Sequence, residues 1–319
     1  MWRFVMISAA VLFGFQAQAL TFKSGQSLSS EDLSPAVKIT EEDIAACRES
    51  GSLDTGSDTM QVMSFNIRYD NSGDGSNQWS KRTGKVASIF ETHDVDLGGL
   101  QEVLHNQFEW LQANLTDYSF VGVGRDDGKT EGEYAPIFYR TSDFDLIKTE
   151  TIWLSQTPDK PGSKGWDAAL PRIATFAILR HKASDTQILL GSAHYDHRGS
   201  RAKRNSGEVI HNYITDLLKT EDLPLIILTG DFNDRPDSST TRAIENINCL
   251  FDTRRMASEP EGPNSTWNGF RSVAAYERID YIFANPAVAV KRHVTDDRKI
   301  DGRFPSDHLP VIVTMAAPE

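Results

Sequence analysis

The chain is poor in cysteine, with only Cys47 and Cys249 in 319 residues. The two stand in no CxxC or Cys/His spacing, which excludes a structural zinc site of the ordinary kind. In an exported protein they would form one disulfide tethering an N-terminal arm to the body; two unpaired buried thiols are the alternative. Positive charge is also scarce, with 33 Lys and Arg against 45 Asp and Glu and a formal net charge of −12. Such a surface repels polyphosphate at long range and argues against tight, non-specific DNA binding, although a local basic groove or bound cations can invert the field. Internal repeats and low-complexity tracts are missing. A composition of 39% hydrophobic and 24% charged residues is that of a globular chain, not a disordered one. After the N-terminus no segment has the roughly 20 apolar residues of a membrane helix.

What is present begins with a secretory pattern. Met1-Trp2-Arg3 supplies a positive start, residues 4–15 are almost wholly apolar, and Ala17-Gln18-Ala19 is a small-x-small cleavage site. The expectation is a signal peptide over 1–19 and a protein released to the periplasm or medium. Cleavage would remove one charge, Arg3, and move the net charge from −12 to −13. Residues 20–58 are polar and aperiodic and read as an arm with one short helix near Glu41–Glu49. Residues 59–319 read as a single catalytic domain.

Within that domain short apolar runs of strand length recur: Gln61–Ile67, Leu97–Leu100, Ser119–Val123, Ala135–Tyr139, Ile173–Arg180, Gln187–Ala193, Leu225–Thr229, Ile279–Phe283 and Leu309–Met315. Helical stretches fall at Lys81–Glu91, Gln107–Leu115, Arg201–Leu218 and Ser238–Asn246. Many strand pairs have no helix between them, so a strictly alternating parallel sheet does not fit. The pattern predicts an α/β (α+β) protein with two packed sheets and helices outside.

Polar residues of one chemical kind close these runs. Gln61–Phe65 ends in Asn66, Leu97–Leu100 in Gln101-Glu102, Ile188–Ala193 in His194 and Leu225–Gly230 in Asp231-Phe232-Asn233. Arg278-Ile279 leads into Asp280, and Ser306-Asp307-His308 precedes the last run. One Asp after a strand is ordinarily a turn or helix cap, and a lone His a satisfied structural residue. Six such ends together describe side chains gathered on a rigid scaffold. Glu102, Asp231 and Asp307 are hard oxygen donors and Asn66 and Asn233 add neutral amides. That set suits Mg²⁺, Mn²⁺ or Ca²⁺ better than zinc. Histidines beside carboxylates handle protons or bind phosphate, the equipment for displacement at phosphorus.

The segments Ser64-Phe65-Asn66-Ile67-Arg68, Leu100-Gln101-Glu102-Val103, Ser192-Ala193-His194, Gly230-Asp231-Phe232-Asn233, Arg278-Ile279-Asp280-Tyr281 and Ser306-Asp307-His308-Leu309-Pro310 resemble the endonuclease/exonuclease/phosphatase superfamily, in its order. The resemblance implies a four-layered α/β/β/α sandwich of two mixed sheets flanked by helices. It also implies a divalent-metal-dependent phosphoesterase, with Mg²⁺ the first expectation. Carried onto matching positions, it makes Glu102 the principal metal ligand, with Asn66 and Asp307 near the ion or its waters. Asp231 would orient or deprotonate the attacking water and Asn233 would help hold the phosphoryl group. His308, oriented by Asp280, and His194 would face the phosphate. In deoxyribonuclease-I-like members a Glu six residues before the aromatic of an aromatic-Arg strand end pairs with the His194 equivalent. Glu133, six before Tyr139-Arg140, is that candidate, and a solvated loop residue is the alternative.

Loop clusters rich in Arg, Asp and Trp resemble an exported bacterial subgroup. They supply the candidate substrate-binding residues Arg68, Trp79, Arg125, Trp166, Arg172 and His197. Guanidinium binds phosphate, while carboxylate and indole suit sugar hydroxyls and faces; loop packing is the alternative for each Trp. The favoured substrate is a small or glycan-linked phosphate ester acted on by a monomer. A secreted nuclease, using Arg198, Arg201, Lys203 and Arg204 as a basic strip, is the second reading. A non-catalytic binding module is the third, and it predicts lost catalytic positions, none of which is lost.

Overall fold

The computed structural model describes residues 53–245 and 249–319. The expected signal peptide, the arm helix and Cys47 lie outside them. Cys249 is disulfide-bonded. No helix among the described residues is long and apolar enough to cross a membrane.

Among the described residues, twelve strands form two six-stranded sheets. In the first, β1 (Thr55–Asn66), β2 (Leu97–Gln101), β3 (Tyr118–Val121) and β4 (Ile137–Arg140) join β11 (Val290–Thr295) and β12 (Val311–Pro318), in the order β11-β12-β1-β2-β4-β3. In the second, β5 (Phe144–Trp153), β6 (Ile173–His181), β7 (Gln187–His194), β8 (Leu225–Asp231), β9 (Phe251–Asp252) and β10 (Asp280–Ala284) run β5-β6-β7-β8-β10-β9. Helices α1 (Trp79–His93) and α2 (His105–Asn114) cover the first sheet. Helices α3 (Ser200–Leu217) and α4 (Ser239–Glu245) cover the second, and a short α5 spans Thr253–Met256. The result is the four-layered α/β/β/α sandwich. Strands read from alternation hold to within a few residues, but the arm boundary moves. Thr55 already pairs with Pro318, so the first strand starts inside the segment read as an arm.

Three apolar layers follow from the strand period of two. One lies between the sheets, with Val62, Leu97, Ile188, Ile227 and Val313 fully buried. A second packs β7 and β8 on α3 through Leu189, Leu228, Ile210 and Ile214, and the third packs β1 and β2 on α1 and α2 through Met63, Leu100, Val86 and Leu111. Toward one end of the inter-sheet layer the filling becomes polar. There Gln101 Nε2 donates to Ser192 Oγ at 3.3 Å, Ser192 Oγ donates to the Leu100 carbonyl at 3.1 Å, and Thr229 Oγ1 donates to the Gly191 carbonyl at 2.8 Å. Gly99 is required here, because a Cβ would lie 2.1 Å from Thr229 Oγ1 and 2.5 Å from Ser192 Oγ. The close approach sets the strand ends of the two sheets against one another above this polar layer.

Candidate active site

Strand register assembles the site. Parallel pairing sets His194 opposite Asp231 and Asn66 opposite Gln101, and antiparallel pairing sets Asp231 opposite Asp280. His194, Asp231 and Asp280 therefore stand in one row across three adjacent strands, while Asn66 and Glu102 close the facing sheet. Three of the residues leaving these ends have left-handed backbone, Arg68 (φ 59°), Glu102 (φ 60°) and Asn233 (φ 50°). That conformation is costly for side chains with a Cβ and concentrates where a site dictates side-chain direction.

Asp231 is the hub and is fully buried. Its Oδ2 accepts from Asn66 Nδ2 at 3.0 Å and lies 3.8 Å from His194 Nε2 and 3.9 Å from His308 Nε2. Burial, then Asp280, raises its proton affinity above the ordinary carboxylate range. The two histidines diverge. Burial opposes charge on His308, but Asp280 accepts from its Nδ1 at 2.9 Å, and together with Asp231 and Asp307 this carboxylate holds the imidazole pKa well above 6.5. His194 is pushed down to about 3 by burial, then by Arg172, whose Nη1 lies 3.0 Å from its Nε2. One histidine is thus an imidazolium at neutral pH and the other is neutral.

Glu102 remains partly open beside them. Its oxygens accept from Asn66 Nδ2 at 3.1 Å and the Tyr69 amide at 3.2 Å, and Arg68 Nη1 stands 3.8 Å away. Ligand atoms of Glu102, His194 and Asp231 lie within 4.8 Å of one another, as do those of Asp231, Asp280 and His308. Asp307 adds a carboxylate whose pKa burial raises, 3.7 Å from Arg68 Nε. Buried carboxylates that resist ionisation together are what a divalent cation stabilises, and the oxygen-rich donor set fits a hard ion. Asn66 stands inside the carboxylate cluster. Its Oδ1 accepts from the Arg68 amide at 3.0 Å and its Nδ2 faces both carboxylates, so it aligns Glu102 and Asp231. Asn233 likewise spends its Nδ2 on the Tyr195 carbonyl at 3.0 Å, while its amide donates to Asp231 Oδ1 at 2.9 Å.

Glu133 reaches the cluster with Oε2 3.4 Å from His194 Nδ1, and Arg125 grips the same carboxylate with two bonds of 2.7 and 2.9 Å. Arg125 is therefore an internal partner. Arg172 is also buried, with Nε 3.3 Å from Asp196 Oδ2 and Nη2 2.8 Å from His197 Nδ1. Arg68 pairs bidentately with Asp74 at 3.0 and 3.1 Å. Trp79 is corrected outright: it is 5% exposed, packed edge-on against Trp110 in the α1–α2 layer, and cannot touch substrate. Trp166 lines a separate cavity beside α3. In the basic strip, Lys203 is spent on the Asn233 carbonyl at 3.0 Å, while Arg198 and Arg201 are exposed.

The sequence pointed to Arg82 only as part of the polar and aromatic cluster after Arg68, and its structural role was missed. Fully buried on α1, it donates to the carbonyls of Asn77, Ile67, Pro305 and Arg68 at 2.6–2.9 Å, tying the segment after Asn66 to the segment before Asp307. The only sequence signal for that role was a charge on the buried face of a helix. Asp196 was likewise missed as an anchor. It accepts from the amides of Ala169, Arg198 and Gly199 as well as from Arg172.

Comparison with known proteins places these residues in a wider set. Residues 63–308 match the family described as Endonuclease/Exonuclease/phosphatase family. An endonuclease/exonuclease/phosphatase from Bacteroides vulgatus is 36% identical with a TM-score of 0.77, over 82% of this chain and 100% of that one. A mannosyl-6-phosphatase of Bacteroides thetaiotaomicron VPI-5482 is 35% identical with a TM-score of 0.76, over 81% of this chain and 100% of that one. Tyrosyl-DNA phosphodiesterase 2 of Homo sapiens is 23% identical over 288 residues, 86% of this chain and 73% of that protein.

Proposed function

Since the chain belongs to the endonuclease/exonuclease/phosphatase family, a superfamily of metal-dependent phosphoesterases, we propose that it is an exported, Mg²⁺-dependent hydrolase of a small, sugar-linked phosphate ester. Class and substrate stand on different ground. The chain is a phosphoric ester hydrolase. The sugar phosphate is a reading supported by similarity to a mannosyl-6-phosphatase at 35% identity and by the acidic net charge of −12. The carrying observation for the chemistry is Asp231, set between a cationic and a neutral histidine and beside Glu102.

Glu102, with Asp307 nearby, would hold the ion. When bound, a divalent cation supplies charge neutralisation and polarisation at the phosphoryl oxygens. Asp231, its proton affinity raised by burial, orients the attacking water and takes its proton. His308, kept cationic by Asp280, donates a hydrogen bond to the phosphoryl group and holds a proton available to the leaving oxygen. His194 stays neutral, with Nδ1 facing Glu133 at 3.4 Å and Nε2 accepting from Arg172 at 3.0 Å, and so holds Arg172 beside the site. Glu133 and Arg125 set the orientation of His194.

The test is a panel of sugar phosphates, DNA, RNA and lipid headgroups assayed with Mg²⁺, Mn²⁺ and Ca²⁺. Sugar phosphates turned over at least tenfold faster than any nucleic acid support the reading. Efficient nicking of supercoiled DNA with no sugar-phosphate activity overturns it. The second reading, a nuclease or DNA phosphodiesterase, draws on the similarity to tyrosyl-DNA phosphodiesterase 2 and on exposed Arg198 and Arg201 beyond the His194 segment.

A further inference from the structure

A cavity of about 530 Å³ lies between α3 and the edge strand β5, outside the metal cluster. Its chemistry differs from that of the catalytic end. Glu150, Asp159, Glu208 and Asp216 line it and no Lys or Arg does, so a phosphate is repelled there. The walls also carry two aromatic faces, Trp166 and Tyr213, and the amides of Gln156, Asn205 and Asn212.

The two aromatics are held in place. Tyr213 donates its hydroxyl to Glu150 Oε2 at 3.1 Å and packs on Phe176 with ring centroids 4.5 Å apart. Trp166 sits in left-handed backbone at φ 47°, a strained state for a bulky residue and one found at ligand clamps. Its amide faces Gln156 Oε1 at 3.4 Å, and the next residue, Asp167, accepts from the Ala202 amide at 2.8 Å at the start of α3. By contrast Asn205, Glu208 and Asn212 make no side-chain hydrogen bond among the described residues. The groove therefore combines fixed aromatic faces with free amides and carboxylates.

Sugar hydroxyls both donate and accept, which is what amide and carboxylate groups side by side satisfy, while the apolar face of a pyranose suits an aromatic ring. A polyamine would use the carboxylates but leave the amide N–H groups facing positive charge. Position agrees with this choice. The groove lies on the α3 face of the second sheet, with Glu150 and Ile152 of β5 in its wall, and its Ser155 and Trp166 end adjoins the loop that leads to the catalytic histidine. That loop runs from Trp166 through Ala169, bound to Asp196, to Arg172 against His194.

We infer that this groove is a subsite for neutral sugar units, the part of a glycan substrate that extends beyond the phosphorylated residue. The inference rests on the sugar-phosphate reading for its role in catalysis, but its test does not need turnover. Isothermal titration of the full chain carrying Asp231→Ala with mannotriose, maltotriose and chitotriose measures binding without turnover, and groove variants locate it. At least one trisaccharide binds, and Trp166→Ala and Asn212→Ala each weaken it about tenfold, equivalent to about 1.4 kcal/mol. Asn212 lies on the solvent face of α3, so its removal leaves the fold intact even if the Trp166 loop rearranges. No binding by any of the three sugars, equal binding in both variants, or binding of spermidine in their place overturns the inference. Trisaccharide binding with no turnover of sugar phosphates by the unmodified enzyme would instead sink the substrate reading and leave the groove standing.

Discussion

Arg82→Met tests how the site is held together. The side chain is 2% exposed and donates to four backbone carbonyls. At a net value of about 1 kcal/mol each, these bonds amount to about 4 kcal/mol, and their loss leaves buried acceptors without donors. Burial works in the other direction. Desolvation lowers the guanidinium pKa to about 10, a cost that methionine escapes. That shift is worth roughly 3 kcal/mol, but four carbonyls left buried without donors cost about 1–3 kcal/mol each. Arg82→Met should therefore be less stable by about 3 kcal/mol, a large share of the roughly 5–15 kcal/mol of a typical domain. Urea unfolding followed by circular dichroism measures it, with the midpoint falling and the slope unchanged. Arg82→Lys keeps a charge but loses the planar fan of donors, and should fall between the two. A loss below about 1 kcal/mol for Arg82→Met would refute the reasoning, because the desolvation cost would then cancel the hydrogen bonds.

Other changes probe separate layers of the account. Gly99→Ala forces a methyl group to within 2.1 Å of Thr229 Oγ1 and should cost about 1–3 kcal/mol by overpacking, read by the same unfolding assay. Glu133→Gln removes the carboxylate facing His194. It should lower kcat about a hundredfold with KM little changed, and steady-state kinetics at saturating Mg²⁺ will show this. His293 is buried, and its pKa is lowered to about 4 from 6.5. The unfolded chain then gains a proton that the folded one refuses, so its stabilising contribution is complete above pH 6.5 and is lost as pH falls toward about 4. Unfolding free energy measured across that window should fall, and fall less steeply in His293→Gln.

The legible part of this protein was its strand ends. Asn66, Glu102, His194, Asp231, Asp280 and His308 each close or adjoin an apolar run of period two, and register sets His194, Asp231 and Asp280 in one row of the second sheet, facing Asn66 and Glu102 on the first. Strand β5 was illegible because it is an edge strand, with Lys148, Thr149 and Glu150 exposed in its middle, so no alternation survives. Strands β9 and β11 were hidden by brevity and by exposed Lys291 and Arg292. Trp79 misled because Arg, Asp and Trp in a loop look alike whether they bind a ligand or cap a helix. Its place at the start of α1, packed on Trp110, depends on tertiary contact. The same limit applied to Arg125 and Arg172. Their charges suggested exposed phosphate binders, whereas Glu133 and Asp196 hold them inside.

The central claim is that Asp231, flanked by His194 and His308 and set beside Glu102, is the centre of a metal-dependent phosphoester hydrolysis. The most direct measurement is phosphate release from mannose 6-phosphate by the purified full chain and by Asp231→Ala, with Mg²⁺ and with excess chelator. The account predicts release by the unmodified protein with Mg²⁺, none in chelator, and a loss of about a thousandfold or more in Asp231→Ala while its circular dichroism spectrum is unchanged. Undiminished release in chelator, or an active Asp231→Ala, would contradict it.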